Sequence, residues 1–321
     1  MSELSGPLLF DPLVKVLPWG GRKLGSFLHK ILPSDEPCGE SWEIVDLPDA
    51  QSLVSVGALS GRELGSLVKK NPEPMLGESR LLRGRFPVLF KFIDAAKTLS
   101  VQVHPDSKTA SRLGHGARPK TEAWYILDAE PGAKLFLGLK EGVGASELSA
   151  ALQDGTVAEL LYEVDARAGQ FYFIPAGLLH AIGGGILLAE IQQSSDTTYR
   201  VFDWNRLGLD GKPRQLHIEQ ALASVNYNLR GQLDVEVPLS GNPGVRCSAF
   251  CFEKARLSNG TEFVLEKGRP RIVACIQGKV LVDGTRGETL SLSLGQSCLL
   301  PACCSAVLSS GSDAAFLVVR A

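Results

Sequence analysis

The chain has 321 residues, of which 44% are hydrophobic and 21% are charged. This balance is typical of a folded globular protein and excludes a disordered or fibrous one. The formal net charge of −2 gives no electrostatic basis for binding nucleic acid or an anionic membrane. The length is sufficient for two domains that each bury a core.

The N-terminal sequence and the cysteines favour a cytoplasmic protein. The chain begins Met1-Ser2-Glu3 without a basic stretch followed by an apolar one, so we expect no secretory signal. No apolar run reaches the ~18 residues that a membrane helix needs, so we expect no membrane partner. The seven cysteines do not have zinc-finger spacing, and we expect reduced, buried thiols.

Glycine and proline divide the chain into short apolar runs that predict strands at residues 86–93, 123–127, 134–139, 170–174, 271–276 and 314–319. Helical patterns are few and lie at residues 60–69, 146–153 and 216–223, with Ser146 as a possible N-cap of the second. Many short strands at close spacing favour a β-sandwich or a β-barrel.

One internal repeat divides the sequence. The segment 169–176, Gly-Gln-Phe-Tyr-Phe-Ile-Pro-Ala, recurs at 295–302 as Gly-Gln-Ser-Cys-Leu-Leu-Pro-Ala. Extending this alignment places Ala306 opposite His180, and no histidine follows His217. We infer two related β-barrels with polar chemistry only in the first, the alternative being chance similarity of glycine–proline turns.

The repeat predicts a catalytic domain at residues 1–230 and a degenerate domain without a metal at residues 231–321. A stretch rich in glycine, asparagine and proline at residues 228–244 is the predicted link.

Polar residues in three separate segments indicate a metal site. In the run from Ser100 to Asp106, alternation along a strand sends Gln102 and His104 to the same face as Ser100. Taken alone, this run is equally consistent with an exposed sheet face.

The second segment is Lys120-Thr-Glu122, which opens a predicted strand with two charges on one face and is, taken alone, consistent with a charged strand edge. The third is His180, which follows a Pro-Ala-Gly turn; a single histidine there is usually structural. Together, His104, Glu122 and His180 are a donor set typical of catalytic zinc, with Gln102 as a possible extra oxygen ligand.

The fourth polar segment runs from Glu190 to Arg206. Glu190 and Gln192 share a strand face, and Arg200 follows a loop of Ser, Asp and Thr residues. Arginine suits a phosphate group or a developing enediolate, although a surface salt-bridge loop is the alternative. The histidines outside these segments, His29, His115 and His217, are interpreted as structural or solvated.

The combination of Gln-Val-His-Pro, Lys-Thr-Glu and Glu-Ile-Gln-Gln-Ser-Ser-Asp-Thr-Thr-Tyr-Arg resembles the type I mannose-6-phosphate isomerases, cupin-fold zinc enzymes. The likeness runs over residues 15–206, and the chain length is similar to the short bacterial form. The resemblance implies an all-β fold of two cupin (jelly-roll) barrels with a few connecting helices. It also implies interconversion of mannose 6-phosphate and fructose 6-phosphate through a cis-enediol, with a small phosphorylated sugar as the partner; the oligomeric state stays open.

Carried over by motif, the resemblance places one Zn²⁺ per chain on Gln102, His104, Glu122 and His180. It places the active-site arginine at Arg200 and the other pocket positions at Trp19, Lys91, Ser100, Lys120, Glu190 and Asp196. One departure is Ile182, which stands where longer members of the family have a tyrosine.

Among the implied catalytic residues, Glu190 is the first choice for the base and Lys120 is its rival or an enediolate stabiliser. Arg200 would stabilise negative charge, and Lys91 is a phosphate candidate. Two other functions remain open at this stage: a cupin oxygenase with Fe(II), and a non-catalytic cupin that binds a sugar phosphate.

Overall fold

The computed structural model describes residues 4, 6–114, 116–233, 238–284 and 289–321, and antiparallel β-sheet dominates these ranges. His115 and part of the predicted link, residues 234–237, lie outside the described residues.

The first fourteen strands lie between residues 8 and 202. They are β1 (Leu8–Leu9), β2 (Leu13–Gly21), β3 (Cys38–Ile44), β4 (Asp46–Leu47), β5 (Ala50–Gln51), β6 (Val88–Ala95), β7 (Val101–Val103), β8 (Glu122–Ala129), β9 (Lys134–Leu139), β10 (Leu161–Asp165), β11 (Phe171–Ile174), β12 (His180–Ile182), β13 (Ile186–Gln193) and β14 (Tyr199–Phe202).

The later strands are β15 (Gly244–Arg246), β16 (Cys251–Leu257), β17 (Glu262–Leu265), β18 (Arg271–Gln277), β19 (Lys279–Gly284), β20 (Thr289–Ser293), β21 (Ser297–Leu300), β22 (Ala306–Ser309) and β23 (Ala314–Arg320). The helices are α1 (Lys23–Ser26), α2 (Leu64–Lys70), α3 (Pro72–Leu76), α4 (Ser107–Leu113), α5 (Ala145–Asp154), α6 (Val157–Leu160) and α7 (Ile218–Ser224). No helix in the described ranges is long and apolar enough to cross a membrane.

Two sheets form a first sandwich, built from β2, β3 and strands β6 to β14. A six-stranded sheet in the order β11-β8-β13-β6-β2-β3 faces a five-stranded sheet in the order β10-β9-β12-β7-β14. The core between them joins Ile93 and Leu188 of the larger sheet to Leu135 and Leu137 of the smaller one, and all four side chains are buried. This sandwich contains every predicted site residue.

A second sandwich follows in the chain and also includes β1. Its six-stranded sheet has the order β1-β21-β18-β23-β16-β15, and its four-stranded sheet has the order β17-β22-β19-β20. The core between these two sheets joins Val273 and Phe316 to Val282 and Leu308. A two-stranded sheet, β4-β5, completes the assignment of the described strands.

The prediction of mostly β structure with a few helices is confirmed, but closed barrels are not found. Each sheet in the described residues runs from one edge strand to another, so the units are two-layered sandwiches. The internal repeat agrees with the strand assignment, because β12 begins at His180 and β22 at Ala306. The glycines that start the two repeat copies, Gly169 and Gly295, both have positive φ, at 89° and 83°. The boundary at residue 230 stays a prediction.

The two six-stranded sheets pack back to back. Strand alternation turns Phe90 and Phe92 of β6 towards the second sandwich, where they join Phe252 of β16 in one buried cluster. The rings of Phe171 and Phe252 are 5.1 Å apart and nearly perpendicular. The six-stranded sheet of the first sandwich is therefore covered on both faces. One face packs against the second sandwich, and the other holds apolar core residues such as Ile93 and Leu188 together with Lys91 and Glu190.

The helices are less well predicted than the strands. The predicted helix at 146–153 begins at Ala145 instead, and its N-cap is Gly144, whose N–H donates to the Glu147 carboxylate at 3.0 Å. Ser146 is therefore the second residue of the helix and not its N-cap. The carboxylate of Glu147, the third residue, accepts the hydrogen bond from the N–H of the cap residue. The helices α1, α3 and α6 have only four or five residues, too few for a periodic pattern to show, and the seven-residue α4 was also not predicted.

Candidate active site

A cavity of about 490 Å³ lies between the two sheets of the first sandwich. Nine of the eleven predicted site residues line it: Trp19, Lys91, Ser100, Gln102, Lys120, Glu122, Glu190, Asp196 and Arg200. The remaining two, His104 and His180, are buried beside Glu122. The fold therefore brings the four separate polar segments of the sequence to one place.

Strand register explains how distant residues meet. On β13, Glu190 and Gln192 face the cavity while Ala189 and Ile191 join the apolar cluster between the sandwiches. In the smaller sheet, Gln102 of β7 lies opposite His180 of β12 on one side and Arg200 of β14 on the other. These three residues form a row across the sheet, and we call it the cavity row.

Two histidines and a carboxylate form a cluster that could hold a metal ion. The candidate ligand atoms of His104, Glu122 and His180 all lie within 4.8 Å of one another. His104 Nε2 lies 3.2 Å from Glu122 Oε1, and His180 Nε2 lies 3.7 Å from Glu122 Oε2. Each of the three side chains is only 1% exposed.

Backbone carbonyl groups orient both imidazole rings. His104 Nδ1 lies 2.9 Å from the carbonyl oxygen of Thr197, and His180 Nδ1 lies 2.9 Å from that of Leu178. Because a carbonyl oxygen only accepts, each Nδ1 carries the proton and donates it. Each Nε2 therefore presents its lone pair to the centre of the cluster, as in histidine ligands with carbonyl partners.

The cluster fits a divalent cation. His104 Nε2 and Glu122 Oε2 are buried without any hydrogen-bond partner, which is costly in a protein interior. Burial, with help from the Lys120 charge, lowers the pKa of His104 to about 3. Burial opposes ionisation of Glu122, but Lys120 and His104 outweigh it and hold the pKa of that carboxyl well below its usual range. Neutral imidazoles beside an ionised carboxylate are the forms that bind a metal.

Gln102 lies next to this cluster without completing it. Its Nε2 is 3.3 Å from His180 Nε2 and donates to the lone pair of that nitrogen. The amide nitrogen, not the oxygen, therefore faces the cluster.

Glu190 and Lys91 form a buried ion pair on the opposite wall of the cavity. Lys91 Nζ lies 3.0 Å from Glu190 Oε1 and 3.5 Å from Glu40 Oε1. The indole N–H of Trp124 donates to Glu190 Oε2 at 2.9 Å. Burial, and then the nearby Glu122 charge, raise the pKa of Glu190 to about 7, against the opposing effect of Lys91.

Lys120 and Arg200 supply positive charge from two directions. Lys120 Nζ lies 2.7 Å from Glu122 Oε1. Arg200 Nε donates to Ser100 Oγ at 3.1 Å, and its Nη1 donates to the carbonyl oxygen of Gln215 at 3.0 Å. The Arg200 side chain is thus held over the cavity by contacts on both of its arms.

The other predicted positions lie around the rim and floor. Trp19 is 3% exposed, and its ring passes so close to Gly39 that a Cβ there would lie 2.6 Å from it. Asp196 is exposed and borders both this cavity and a neighbouring one of about 400 Å³. Ile182, the one departure named in the sequence analysis, also lines the cavity.

Several residues of the site were missed by sequence analysis. His217, interpreted from sequence as structural or solvated, lines the cavity, and so do Arg214 and Glu40. Trp124 could have been found, because it lies two residues after Glu122 on the same strand face. Nothing in the motifs indicated Arg214, which comes from the irregular segment after β14.

Comparisons with known proteins agree with this arrangement. A family model described as phosphomannose isomerase type I, catalytic domain, matches residues 8–132. The mannose-6-phosphate isomerase ManA of Bacillus subtilis is 39% identical over 216 residues, which cover 67% of each chain. The mannose-6-phosphate isomerase of Streptococcus mutans is 40% identical over 220 residues, covering 68% of this chain and 67% of the relative.

A solved structure extends the likeness over the whole chain. The mannose 6-phosphate isomerase from Bacillus subtilis superposes with a TM-score of 0.88 at 29% identity, covering 98% of this chain and 100% of the other. The similarity therefore includes the second sandwich as well as the first. The chain belongs to the type I phosphomannose isomerase family.

Proposed function

We propose that this chain interconverts mannose 6-phosphate and fructose 6-phosphate. The observation that carries the proposal is that one cavity is lined both by Glu122, a member of a buried His–Glu–His cluster, and by a second buried carboxylate, Glu190, in a chain of this family. The relatives named above carry that activity in their names, and none of them is named as an oxygenase or a regulator.

The proposed cofactor is one Zn²⁺ per chain. His104, Glu122 and His180 would hold it, and Gln102 would join them if its amide turned to present Oε1. This assignment is supported by two buried ligand atoms, His104 Nε2 and Glu122 Oε2, that have no hydrogen-bond partner. When bound, zinc supplies Lewis-acid polarisation of the sugar oxygens.

Glu190 is the proposed base. It would take the proton from C2 of the open-chain aldose and return it to C1, while the hydroxyl proton passes from O2 to O1. A pKa near 7 allows the carboxylate to accept and release a proton at neutral pH. Trp124 donates to Oε2 and the Lys91 ammonium lies 3.0 Å from Oε1, so both oxygens of the carboxylate are held in place.

Lys120 and Arg200 are the proposed stabilisers of the enediolate. Lys120 is also the rival base, although its ammonium group is engaged by Glu122. Arg200 acts from the far end of the cavity row, where a fixed guanidinium would interact more strongly with the charge of the enediolate than with the uncharged carbonyl and hydroxyl groups of the ground state. Ser100 positions Arg200, while Trp19 and Asp196 are proposed to contact the substrate.

We further propose that both sandwiches are cupin units, of which the second, residues 231–321, is degenerate and binds no metal. The strand correspondence around His180 and Ala306 supports this reading. A cytoplasmic location is consistent with the absence of disulfides among the cysteines, all of which lie in the described ranges.

Elemental analysis paired with turnover tests the proposal. We expect about one zinc per chain, loss of mannose 6-phosphate turnover after chelation, and recovery on adding Zn²⁺. His104→Ala should lose both the metal and the activity, whereas His29→Ala, a substitution outside the cavity, should lose neither. Full turnover by protein shown to contain no metal would overturn the assignment.

A further inference from the structure

Three arginines surround a single carboxylate at the edge of the active-site cavity. Asp203 Oδ1 lies 2.5 Å from Arg206 Nη2 and 3.5 Å from Arg214 Nη1, and its charge also acts on Arg200. No other carboxylate forms an ion pair with these arginines among the described residues. Glu40 acts on Arg214 only at longer range and is itself within reach of Lys91. The group therefore has a surplus of two positive charges.

The three guanidinium groups are not equivalent. Arg206 does not line the cavity, and both of its Nη atoms are engaged, by Asp203 and by the carbonyl oxygen of Thr98 at 2.7 Å, which leaves only its buried Nε without a partner. Arg214 lines the cavity, and its Nη1 is buried without a hydrogen-bond partner. Asp203 Oδ2 also has no hydrogen-bond partner. The ion pair between Asp203 and Arg214 is therefore long and leaves a buried polar atom of each residue without a hydrogen bond. Arg214 is thus the arginine that is left to bind an anion.

Backbone contacts place Arg214 next to Arg200. The N–H of His217 donates to the carbonyl oxygen of Arg200 at 2.8 Å, and Arg200 Nη1 donates to the carbonyl oxygen of Gln215. Arg200 is two strands away from His180 along the cavity row, a backbone separation of roughly 10 Å. The two arginines therefore lie at the end of the row that is farther from the metal cluster.

We propose that Arg214 binds the phosphate group of the sugar substrate. The inference rests on the proposed function and names the subsite that would select a phosphorylated sugar. A phosphate monoester is close to a dianion at neutral pH, which matches the surplus of two charges, and arginine forks suit its oxygens. Lys91, the phosphate candidate from sequence, is already engaged by Glu190 and Glu40.

Steady-state kinetics of Arg214→Met test the proposal. We expect the KM for mannose 6-phosphate to rise roughly ten- to hundredfold, the loss expected for a charge-assisted contact, with kcat within about twofold. The kcat/KM for unphosphorylated mannose should not change, since that sugar has no group for Arg214 to bind. Arg256→Met removes one exposed guanidinium from the second sandwich and should change neither constant. An unchanged KM, or an equal loss with mannose, would show that Arg214 does not bind phosphate.

Arg206→Met distinguishes phosphate binding by the arginine cluster from a purely structural role of the cluster in its loop. Arg206 shares Asp203 with Arg214 but does not line the cavity. We expect its loss to leave the preference for the phosphorylated sugar intact. If it raises the KM for mannose 6-phosphate as much as Arg214→Met does, the cluster only maintains the loop and the proposal is wrong.

Calorimetric titration with inorganic phosphate makes the test independent of turnover. The wild-type chain should bind phosphate, Arg214→Met should bind it at least tenfold more weakly, and Arg214→Lys should retain part of the affinity. If Arg214→Met has a lower Tm than the wild type, the phosphate affinity of Arg214→Lys is compared with that of the wild type in its place. Should the wild type fail to isomerise mannose 6-phosphate, the proposed function fails while this titration still decides the role of Arg214. Equal phosphate affinity in the wild type and Arg214→Met would overturn the inference.

Discussion

Lys91 Nζ lies 3.0 Å from Glu190 Oε1, and the antiparallel pairing of β6 with β13 places the two residues directly opposite each other. Burial alone would lower the pKa of Lys91, but the carboxylates of Glu190 and Glu40 outweigh it and raise that pKa above its ordinary value. Lys91 is therefore a fixed positive charge that favours the ionised form of Glu190.

Lys91→Met should move the acid limb of the kcat/KM profile to higher pH. A base must be deprotonated to act, so activity is present above the pKa of Glu190 and is lost as the pH falls through it. Removing the Lys91 charge leaves burial and Glu122 to raise that pKa further. Lys15→Met, which removes a charge from the cavity wall without touching Glu190, should leave the limb in place. A limb that moves equally in both variants would show that total cavity charge, and not the ion pair, controls it.

Glu190→Gln should lower kcat by about 10² to 10⁴ while the metal content stays unchanged, since a base contributes that much and the metal cluster is separate. Exchange of the C2 hydrogen with solvent should fall in parallel. Glu40→Gln is the matched control, because Glu40 also borders the cavity beside Lys91. Exchange that persists in Glu190→Gln and disappears in Lys120→Ala would assign the base to Lys120.

Arg200→Ala should lower kcat and kcat/KM together, with little change in metal content or Tm. The guanidinium is proposed to act on charge that develops in the transition state, so ground-state binding alone does not reveal its contribution. Lysine should restore activity only partly, because it lacks the planar fork that contacts Ser100 and Gln215. A rise in KM with an intact kcat would instead make Arg200 part of the phosphate subsite alone.

Phe252→Ala should destabilise the protein without altering its chemistry. Phe252 is fully buried between the sandwiches, with its ring 6.5 Å from that of Phe90 and 5.1 Å from that of Phe171. Truncating such a side chain costs about 3–5 kcal/mol of unfolding free energy, measurable by denaturant titration. The KM of the folded variant at low temperature should match the wild type. Phe27→Ala, at a partly exposed ring, should have a much smaller effect on stability.

The strands and the metal cluster could be predicted from the sequence because both depend on local patterns. Alternation along β8 and β13 separates cavity-facing from core-facing residues, and the strand predicted at 134–139 matches β9 in both bounds. His104, Glu122 and His180 each lie in a segment with its own polar signal, and only their convergence required the fold.

What could not be predicted depends on tertiary contacts. Arg214 reaches the cavity because its segment is bound to β14 through His217 and Gln215, a pairing with no sequence pattern. The charge state of Glu190 depends on Lys91, which is 99 residues earlier in the chain and meets it only through the register of the sheet. Sheet closure is likewise a long-range property, and the expected arrangement of two barrels was not confirmed, since each sheet in the described residues runs from one edge strand to another.

The back-to-back packing of the two large sheets limits how small this enzyme could be made. A version cut down to the first sandwich would expose the rings of Phe90, Phe92 and Tyr125 to water on the reverse side of the catalytic strands. A large apolar patch of this kind promotes self-association, so a minimal enzyme would need polar replacements along that whole face. The second sandwich therefore shields this apolar face from water, and the solubility of the first sandwich depends on that cover.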